Sequence, residues 1–479
     1  MLFFSWVLKI VNQVDSDVNR MLRPGMVPVL SLSAKKSRVI LGRMNPEKPQ
    51  LTWKKITAFW LPLYSTWLMM SMEGPFIAAL IARLTDAKFN LAAYGVAFSL
   101  GMIFESPIIM MLSASNVLVK DRKSLLKLRR FSNTLNVLIT LAMLLVIIPP
   151  VFFWLTRDLI GLPWPVAKLT HLATILLIPW PAAIGYRRFY QGILIGNNLP
   201  HRVAYGTLVR LSSMAATALL LYLFSTLPGA YVGAAALSAG VVMEAMASRF
   251  MARKLVRDLL SEHDKSAVEK PIPSYRALAG FYFPLALTSF LALAIYPLLS
   301  FFMGKSRLPI ESLALLPVLN ALTFIFRSAG LSFQEAAIAL LGQGAGSYRK
   351  LRSFALLLGI AASLLLGFIS FTPAAFLWFH HVSGLTLELT RLAILPMRIM
   401  SVLPALEVLL AFQRSLLVKD KNTRPITIAT AIEVTVIAGV LLLAISWVHM
   451  IGVVAAALAA VSGRLCANFY LLCLDNPVK

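Results

Sequence analysis

Charged side chains occur inside long apolar segments of this sequence, where an ionised group has a high energetic cost. On insertion scales one such charge costs about 2.5 to 3.5 kcal/mol at the centre of a bilayer. Each of them therefore needs a partner or a function. Glutamates in this setting suit proton transfer or a cationic ligand, whereas the guanidinium fork of arginine suits phosphate or carboxylate. Five of these residues are candidates for a binding site: Glu73, Glu105, Arg327, Arg398 and Glu407.

Glu105 and Arg327 stand apart because they occupy equivalent places in two copies of a repeat. A shift of 222 positions aligns Phe104-Glu105-Ser106 with Phe326-Arg327-Ser328. The same shift aligns Phe59, Pro62 and Leu63 with Phe281, Pro284 and Leu285, Gln191 with Gln413, and Arg202 with Arg424. A two-fold relation between the copies would bring both charges to one central cleft from opposite sides. We predict that they face each other, as a latch or as a polar pair that binds substrate.

The remaining candidates follow from helix breaks and from partners. Arg398 lies between Pro396 and Pro404, where a helix should bend, and Glu407 follows two to three turns later. The other buried charges are interpreted as structural. Arg187, Arg188, Arg210 and Arg249 are expected to pair across helices or snorkel at helix ends, Glu244 and Arg464 to stabilise their own helices, and Glu433 to pair with a neighbouring arginine.

The composition indicates which kind of secondary structure carries these charged residues. Hydrophobic residues make up 59% of the 479 positions and charged residues only 14%, and the mean hydropathy is +0.78. A soluble core cannot hide that much apolar surface. Apolar runs of about 20 residues are each long enough to cross a bilayer as a helix. We predict spans at roughly 56–81, 91–118, 131–155, 166–195, 203–226, 229–252, 278–303, 309–342, 353–379, 388–417, 425–448 and 451–473.

The fold class expected from these spans is an all-α membrane protein with twelve transmembrane helices. The repeat divides them into two six-helix bundles related by a pseudo-two-fold axis along the membrane normal. Residues 1–52 form an amphiphilic extension, 53–252 the first bundle, 253–277 a polar linker, and 278–479 the second bundle.

Lysine and arginine are concentrated on alternate connections, which predicts the orientation. They cluster after spans two, six, eight and ten, so these connections, both termini and the linker should be cytoplasmic. The net charge of +25 therefore belongs to loops beside a membrane rather than to a nucleic-acid surface. We expect a multi-pass protein of the plasma membrane, or of the inner membrane in a bacterium, with the lipid bilayer and a small molecule as its partners and a monomeric state.

Three segments resemble a known family of transporters. They are Ala93-Tyr94-Gly95-Val96-Ala97-Phe98-Ser99-Leu100, Phe281-Tyr282-Phe283-Pro284-Leu285-Ala286-Leu287, and Pro396-Met397-Arg398-Ile399-Met400-Ser401-Val402-Leu403-Pro404. All three resemble the progressive ankylosis (Ank) family, within the MATE-like multidrug/oligosaccharidyl-lipid/polysaccharide superfamily of two-bundle exporters. The resemblance implies a MATE-like fold and export by alternating access. Ank relatives are associated with efflux of polyanions, whereas other branches move cationic drugs or flip lipid-linked sugars.

These observations together predict a secondary active transporter that exports a small polyanion such as pyrophosphate, a nucleotide or citrate. Coupling to protons or sodium would drive it, and no bound cofactor is expected. The alternative is cation-coupled multidrug efflux, or flipping of a lipid-linked substrate. An enzyme is disfavoured because the sequence has no nucleophile motif, metal-ligand cluster or phosphate-cradling glycine loop.

Topology gives the first test. In a background in which Cys466 and Cys473 are replaced by serine, Ser266→Cys should resist a membrane-impermeant maleimide added to intact cells, because the linker faces the cytoplasm. Leu227→Cys, on an alternate connection without lysine or arginine, is the matched control and should be labelled. Labelling of Ser266→Cys from outside would contradict the predicted orientation.

Overall fold

The computed structural model describes residues 51–197, 199–261, 275–341, 346–420 and 424–474. It confirms the prediction of twelve membrane-spanning helices. They are Trp53–Ala82, Ala87–Glu105, Arg122–Ile147, Trp164–Gly196, His201–Phe224, Gly229–Ser261, Ala286–Gly304, Pro309–Leu340, Ser347–Phe371, Leu387–Lys419, Arg424–Ser446 and Gly452–Leu474, numbered here as spans 1 to 12. Residues 1–50 of the predicted N-terminal extension and residues 262–274 of the predicted linker lie outside the described residues.

Several predicted ends differ from the structure, among them the start of span 3 and the end of span 6. Span 3 begins at Arg122 rather than near 131, because the Asp121 side chain caps it by accepting a hydrogen bond from the Ser124 amide at 2.8 Å. Span 6 continues to Ser261, well past the predicted end at 252. A helix of 33 residues is about 50 Å long, so its last turns extend beyond a hydrocarbon core of about 30 Å.

Several spans are broken, and most of the breaks lie beside proline, which cannot continue the backbone hydrogen-bond ladder. Span 1 consists of Trp53–Ser71 and Glu73–Ala82, span 4 of Trp164–Leu176 and Pro179–Gly196, and span 10 of Leu387–Met400 and Leu403–Lys419. Span 2, Ala87–Glu105, continues after its break as a second helix, Met111–Leu118, and span 7 is the apolar part of Tyr275–Leu293 and Ile295–Gly304. Spans 3 and 9 are each followed by a π-helical turn, Trp154–Leu159 and Leu377–Val382.

These irregularities recur in both halves, as the repeat predicts. The break in span 1 lies at Pro75, and the break in span 7 lies beside Pro297, 222 positions later. The π-helical turns and the breaks of spans 4 and 10 also occupy matching places in the order of elements. The two halves are therefore structural copies, six spans each.

The two ends of the molecule differ in charge. The basic end carries the described chain ends, Leu51 and Leu474, together with the lysine- and arginine-rich connections. At the opposite end the two halves are in close contact. Lys88 Nζ lies 2.6 Å from Glu311 Oε1 across the interface, and the Arg83 guanidinium donates to the carbonyl oxygens of His381 and Val382 at 2.8 Å.

The interface between the halves is built from spans 1, 2, 7 and 8. The Ser300 hydroxyl donates to that of Ser99 at 3.0 Å, and a Cβ on Gly95 would lie 3.2 Å from the Leu313 carbonyl oxygen. Toward the basic end the second helix of span 2 packs on spans 3 and 4, whereas span 8 packs on spans 1, 9 and 10. Spans 2 and 8 therefore meet near the opposite end and diverge toward the basic end.

Candidate functional site: two buried charge clusters beside the bundle interface

The first half contains a buried cluster that connects spans 1, 4, 5 and 6, which we call the first cluster. The Arg210 guanidinium donates to both carboxylate oxygens of Glu73, at 2.6 and 2.7 Å. Glu244 accepts from Arg187 and from Gln191, the latter at 3.0 Å, and lies 3.8 Å from Arg210. Glu244 is 1% exposed, so its charge is held entirely by these donors.

The second half contains a corresponding cluster on spans 8, 10, 11 and 12, the second cluster. Arg327 donates from Nε and Nη2 to Glu407 at 2.8 and 2.6 Å. Arg464 lies 3.5 Å from the same carboxylate and 3.1 Å from Glu433. The prediction that Glu433 pairs with a neighbouring arginine is therefore confirmed. Glu407, like Glu244, is a buried carboxylate shared by two arginines from different spans.

Four pairs of equivalent positions in the two halves carry opposite charges. The members of each pair lie 220 to 223 positions apart. The pairs are Glu105 with Arg327 on spans 2 and 8, Arg187 with Glu407 on spans 4 and 10, Arg210 with Glu433 on spans 5 and 11, and Glu244 with Arg464 on spans 6 and 12. At these positions the repeat keeps the place of the charge and inverts its sign, whereas Glu73 of span 1 has no charged counterpart, because Ile295 lies 222 positions later.

Glu105 is the exception to the pairing. By the symmetry of the clusters it should bond to Arg187, as Arg327 bonds to Glu407, but Arg187 is taken by Glu244. Glu105 is only 6% exposed, and across the described part of the chain its carboxylate has neither a hydrogen bond nor an ion pair. Arg187, Arg188 and Arg210 lie within electrostatic range of it. Glu105 is thus a buried acid that is free to take a proton or to respond to a charged ligand.

The structure corrects the predicted pairing of Glu105 with Arg327, because Glu407 holds Arg327. The two candidates nevertheless share a neighbour. Tyr296, at the break of span 7, lies within electrostatic range of Glu105, Arg327 and Glu407. Its ring also packs edge-on against Phe98 of span 2, with the centroids 6.2 Å apart. Tyr296 therefore lies between the two clusters at the interface of the halves.

Arg398 is not brought to this site. It is exposed, its guanidinium lies 5.3 Å from the Phe371 ring centroid, and its Nε donates to the Ser370 carbonyl at 3.2 Å. Leu395 and Val402, one turn away on either side, are 54% and 44% exposed, so this face of span 10 is apolar and outward-facing. Of the five predicted residues, Glu73, Glu105, Arg327 and Glu407 therefore lie in or beside the clusters, and Arg398 does not.

Three arginines that were predicted to be structural lie at the site. Arg187 and Arg210 are 4% and 8% exposed and pair across helices, which confirms one of the two roles predicted for them. Arg188 has a buried Nε without a partner and lies within electrostatic range of Glu105. Arg187 and Arg210 occupy the places in the repeat that Glu407 and Glu433 occupy in the other half. This relation can be recognised in the sequence only if residues of opposite charge are accepted as equivalent. Tyr296 had a weaker signal, its place beside Pro297 at a repeated break.

Solved structures of transporters and of a flippase have the same architecture. An inward-facing multidrug resistance MATE family transporter of the MOP superfamily aligns with a TM-score of 0.57 and 16% identity, over 87% of this chain and 96% of that one. Lipid II flippase MurJ in an inward closed conformation gives 0.66 and 16%, over 86% and 87%. A MOP superfamily transporter from Pyrococcus furiosus, described as having a binding pocket of reverse polarity, gives 0.56 and 16%, over 87% and 94%.

The fold is MATE-like. No family model matches the sequence, and no curated protein matches it, so the likeness lies in the architecture. The MATE-like arrangement agrees with the expected pair of six-helix bundles. The three structures reported above do not include a member of the Ank family, which the sequence resembles.

The geometry of the clusters predicts a contrast between two buried glutamates of this MATE-like fold. Glu407→Gln should lower thermal stability strongly, because it leaves Arg327 and Arg464 without their shared carboxylate, and breaking a buried pair costs about 3 to 5 kcal/mol. Glu105→Gln should leave the melting temperature nearly unchanged, since no ion pair is lost. Thermal unfolding of both variants in detergent provides the measurement. Glu105→Gln is the matched control, being the same substitution at similar burial, and equal losses in the two variants would refute the assignment.

Proposed function

We propose that this protein is a secondary active transporter that works by alternating access between its two bundles. The observation that carries the proposal is the pair of buried charge clusters beside an interface that is closed at one end. Buried charge within spans is characteristic of substrate and ion pathways. The MATE-like architecture supports the same conclusion, because all three structures compared above are transporters or a flippase.

We further propose that the substrate is a small polyanion that approaches from the diverging side of spans 2 and 8. Arg188 lacks an ion-pair partner among the described residues, and the Arg327 side chain keeps 25% of its surface exposed. Guanidinium groups bind phosphate and carboxylate through parallel hydrogen bonds. These two arginines, on spans from opposite halves, replace the predicted combination of Arg327 with Arg398.

Glu105 is the proposed coupling residue. When it is ionised, its negative charge competes with an anion for Arg187 and Arg188. When it is protonated, that competition ends, so a proton and an anion favour each other's binding. The glutamate is therefore a proton site whose occupancy sets the affinity for the anion.

A lipid-linked substrate is a second candidate, favoured by the TM-score of 0.66 to the lipid II flippase MurJ. A phosphate-bearing lipid would use the same arginines, so the two functions differ in the hydrophobic part of the substrate. Cation-coupled drug efflux would use Glu105 itself as the ligand of the cation.

Alternating access can be tested by locking the interface. In a background in which Cys466 and Cys473 are replaced by serine, Ser99→Cys with Ser300→Cys should form a disulfide on oxidation, because the native hydroxyl oxygens are 3.0 Å apart. The linked bundles cannot separate at this point, so counterflow in proteoliposomes should fall to the level of empty vesicles. The assay compares pyrophosphate, ATP, citrate, a lipid-linked pyrophosphate and a cationic dye.

Each single cysteine variant, treated with the same oxidant, is the control and should keep its activity. Reductant should restore the double variant. Undiminished counterflow of every substrate in a fully oxidised double variant would contradict alternating access at this interface. If the unmodified protein exchanges only the dye, or only the lipid-linked substrate, alternating access would stand but the substrate would not be a polyanion.

Coupling predicts a specific effect of pH. Glu105→Gln mimics the protonated acid, so this variant should bind and exchange the anion without the dependence on pH that is expected of the unmodified chain. Anion exchange in proteoliposomes, measured over a series of pH values, tests this. Glu335→Gln removes an exposed glutamate of span 8 whose partner is Trp67, so it should keep the original pH profile. An unchanged profile in Glu105→Gln would place the coupling elsewhere.

A further inference from the structure

A second concentration of positive charge lies outside the clusters, at the basic end of the first bundle. Spans 3, 4 and 6 enclose a groove of about 630 Å³. Four arginines line it, and we call it the arginine groove: Arg129, Arg249, Arg253 and Arg257. Tyr190 of span 4 forms part of its wall, within electrostatic range of Arg129 and Arg249.

The positions of these arginines follow from the length of span 6. Arg249, Arg253 and Arg257 are spaced four residues apart, so they project from one face of the helix. Arg249 lies 20 residues after Gly229, about 30 Å along the axis, which is the thickness of the hydrocarbon core. The groove therefore lies at the depth of lipid headgroups.

Among the residues that the structure describes, none compensates the charge of the groove. Within the described ranges, none of its four arginines has an ion pair or a side-chain hydrogen bond, and its lining contains no aspartate or glutamate. Asp258, next to Arg257 in the chain, is exposed and does not line the groove. Four guanidinium groups around one concavity repel one another, so they favour a negatively charged ligand.

The rim of the groove is apolar on the side that faces away from the bundle. Met246 and Phe250 belong to the lining and are 60% and 73% exposed. Both lie on the membrane side of Arg253, within one to two turns of it. A site with arginines at headgroup depth and exposed apolar side chains beside them fits an amphiphile better than a free anion.

We propose that the arginine groove binds the phosphate headgroup of an anionic phospholipid, whose acyl chains lie along Met246 and Phe250. The arginines bind the phosphate oxygens by charge-assisted hydrogen bonds. This site is separate from the two buried clusters, and its existence does not depend on the proposed transport function. A free polyphosphate shares the headgroup chemistry and is distinguished by the test.

Native mass spectrometry of the purified full chain in neutral detergent tests the proposal. Phosphatidylglycerol should be retained in preference to phosphatidylcholine of the same acyl chains. The triple variant Arg249→Gln, Arg253→Gln and Arg257→Gln should lower the affinity for phosphatidylglycerol by about tenfold or more, since each basic residue near a membrane surface contributes measurably to binding anionic lipid. Higher ionic strength should weaken the retention in the unmodified chain and have little effect on the variant.

The matched control removes three positive charges outside the groove, by Lys254→Gln, Arg349→Gln and Arg352→Gln, and should retain phosphatidylglycerol like the unmodified chain. If the triple variant is not recovered folded, Arg253→Gln alone, at an exposed position, should still lower the affinity. Equal loss in the control and in the groove variant would overturn the proposal. So would equal retention of both lipids, or displacement of phosphatidylglycerol by an equal concentration of free pyrophosphate.

Discussion

An ionised group within a bilayer must find its opposite charge inside the protein, and the interior of this molecule is arranged around that constraint. Each half meets it with one buried glutamate that is shared by two arginines. Glu244 serves spans 4, 5 and 6, and Glu407 serves spans 8, 10 and 12. Helices that carry one charge each would be unstable as separate segments in lipid. The shared carboxylates therefore do more than stabilise, because they fix which spans must be neighbours and at what depth.

The inversion of sign between the halves is a consequence of the same constraint. A cluster is neutralised by the match between its members rather than by which span carries the acid, so a repeat can exchange acid and base at equivalent places and still fold. The exchange of Arg210 and Glu244 for Glu433 and Arg464 preserves the pairing of spans 5 with 6 and of 11 with 12. The pairing differs at Glu105. Arg187 bonds to Glu244, and within the described residues Glu105 is left without an ion pair.

Much of the architecture could be predicted from the sequence, because span length and proline position are local properties. The twelve spans, the repeat and the break beside Pro297 all follow from them. The partners of the charges could not be predicted in the same way. A shift of 222 positions indicates that Glu105 and Arg327 lie at the same depth. It does not show which neighbouring helix supplies the partner of Arg327, and in the structure span 10 supplies Glu407. Rotation about the axis matters equally. One residue is about 100° of helix, so Met397 is buried while Arg398 faces outward.

The distribution of strong and weak contacts determines which parts of the molecule can move. Inside each half, buried ion pairs and tight helix packing resist separation, since a broken pair leaves an uncompensated charge. Between the halves, span 1 packs on span 8 near the basic end, where Trp60 Nε1 donates to the Ser332 hydroxyl at 2.9 Å. The contacts nearer the opposite end are close or partly solvated. Gly95 meets the backbone of Leu313, the Ser99 and Ser300 hydroxyls share one hydrogen bond, and the Lys88–Glu311 ion pair has side chains 31% and 12% exposed. Such a pair contributes about 1 kcal/mol or less. The ion pairs inside each half therefore cost more to break than the polar contacts of span 2 with spans 7 and 8, and the unpaired Glu105 lies on span 2, beside that interface.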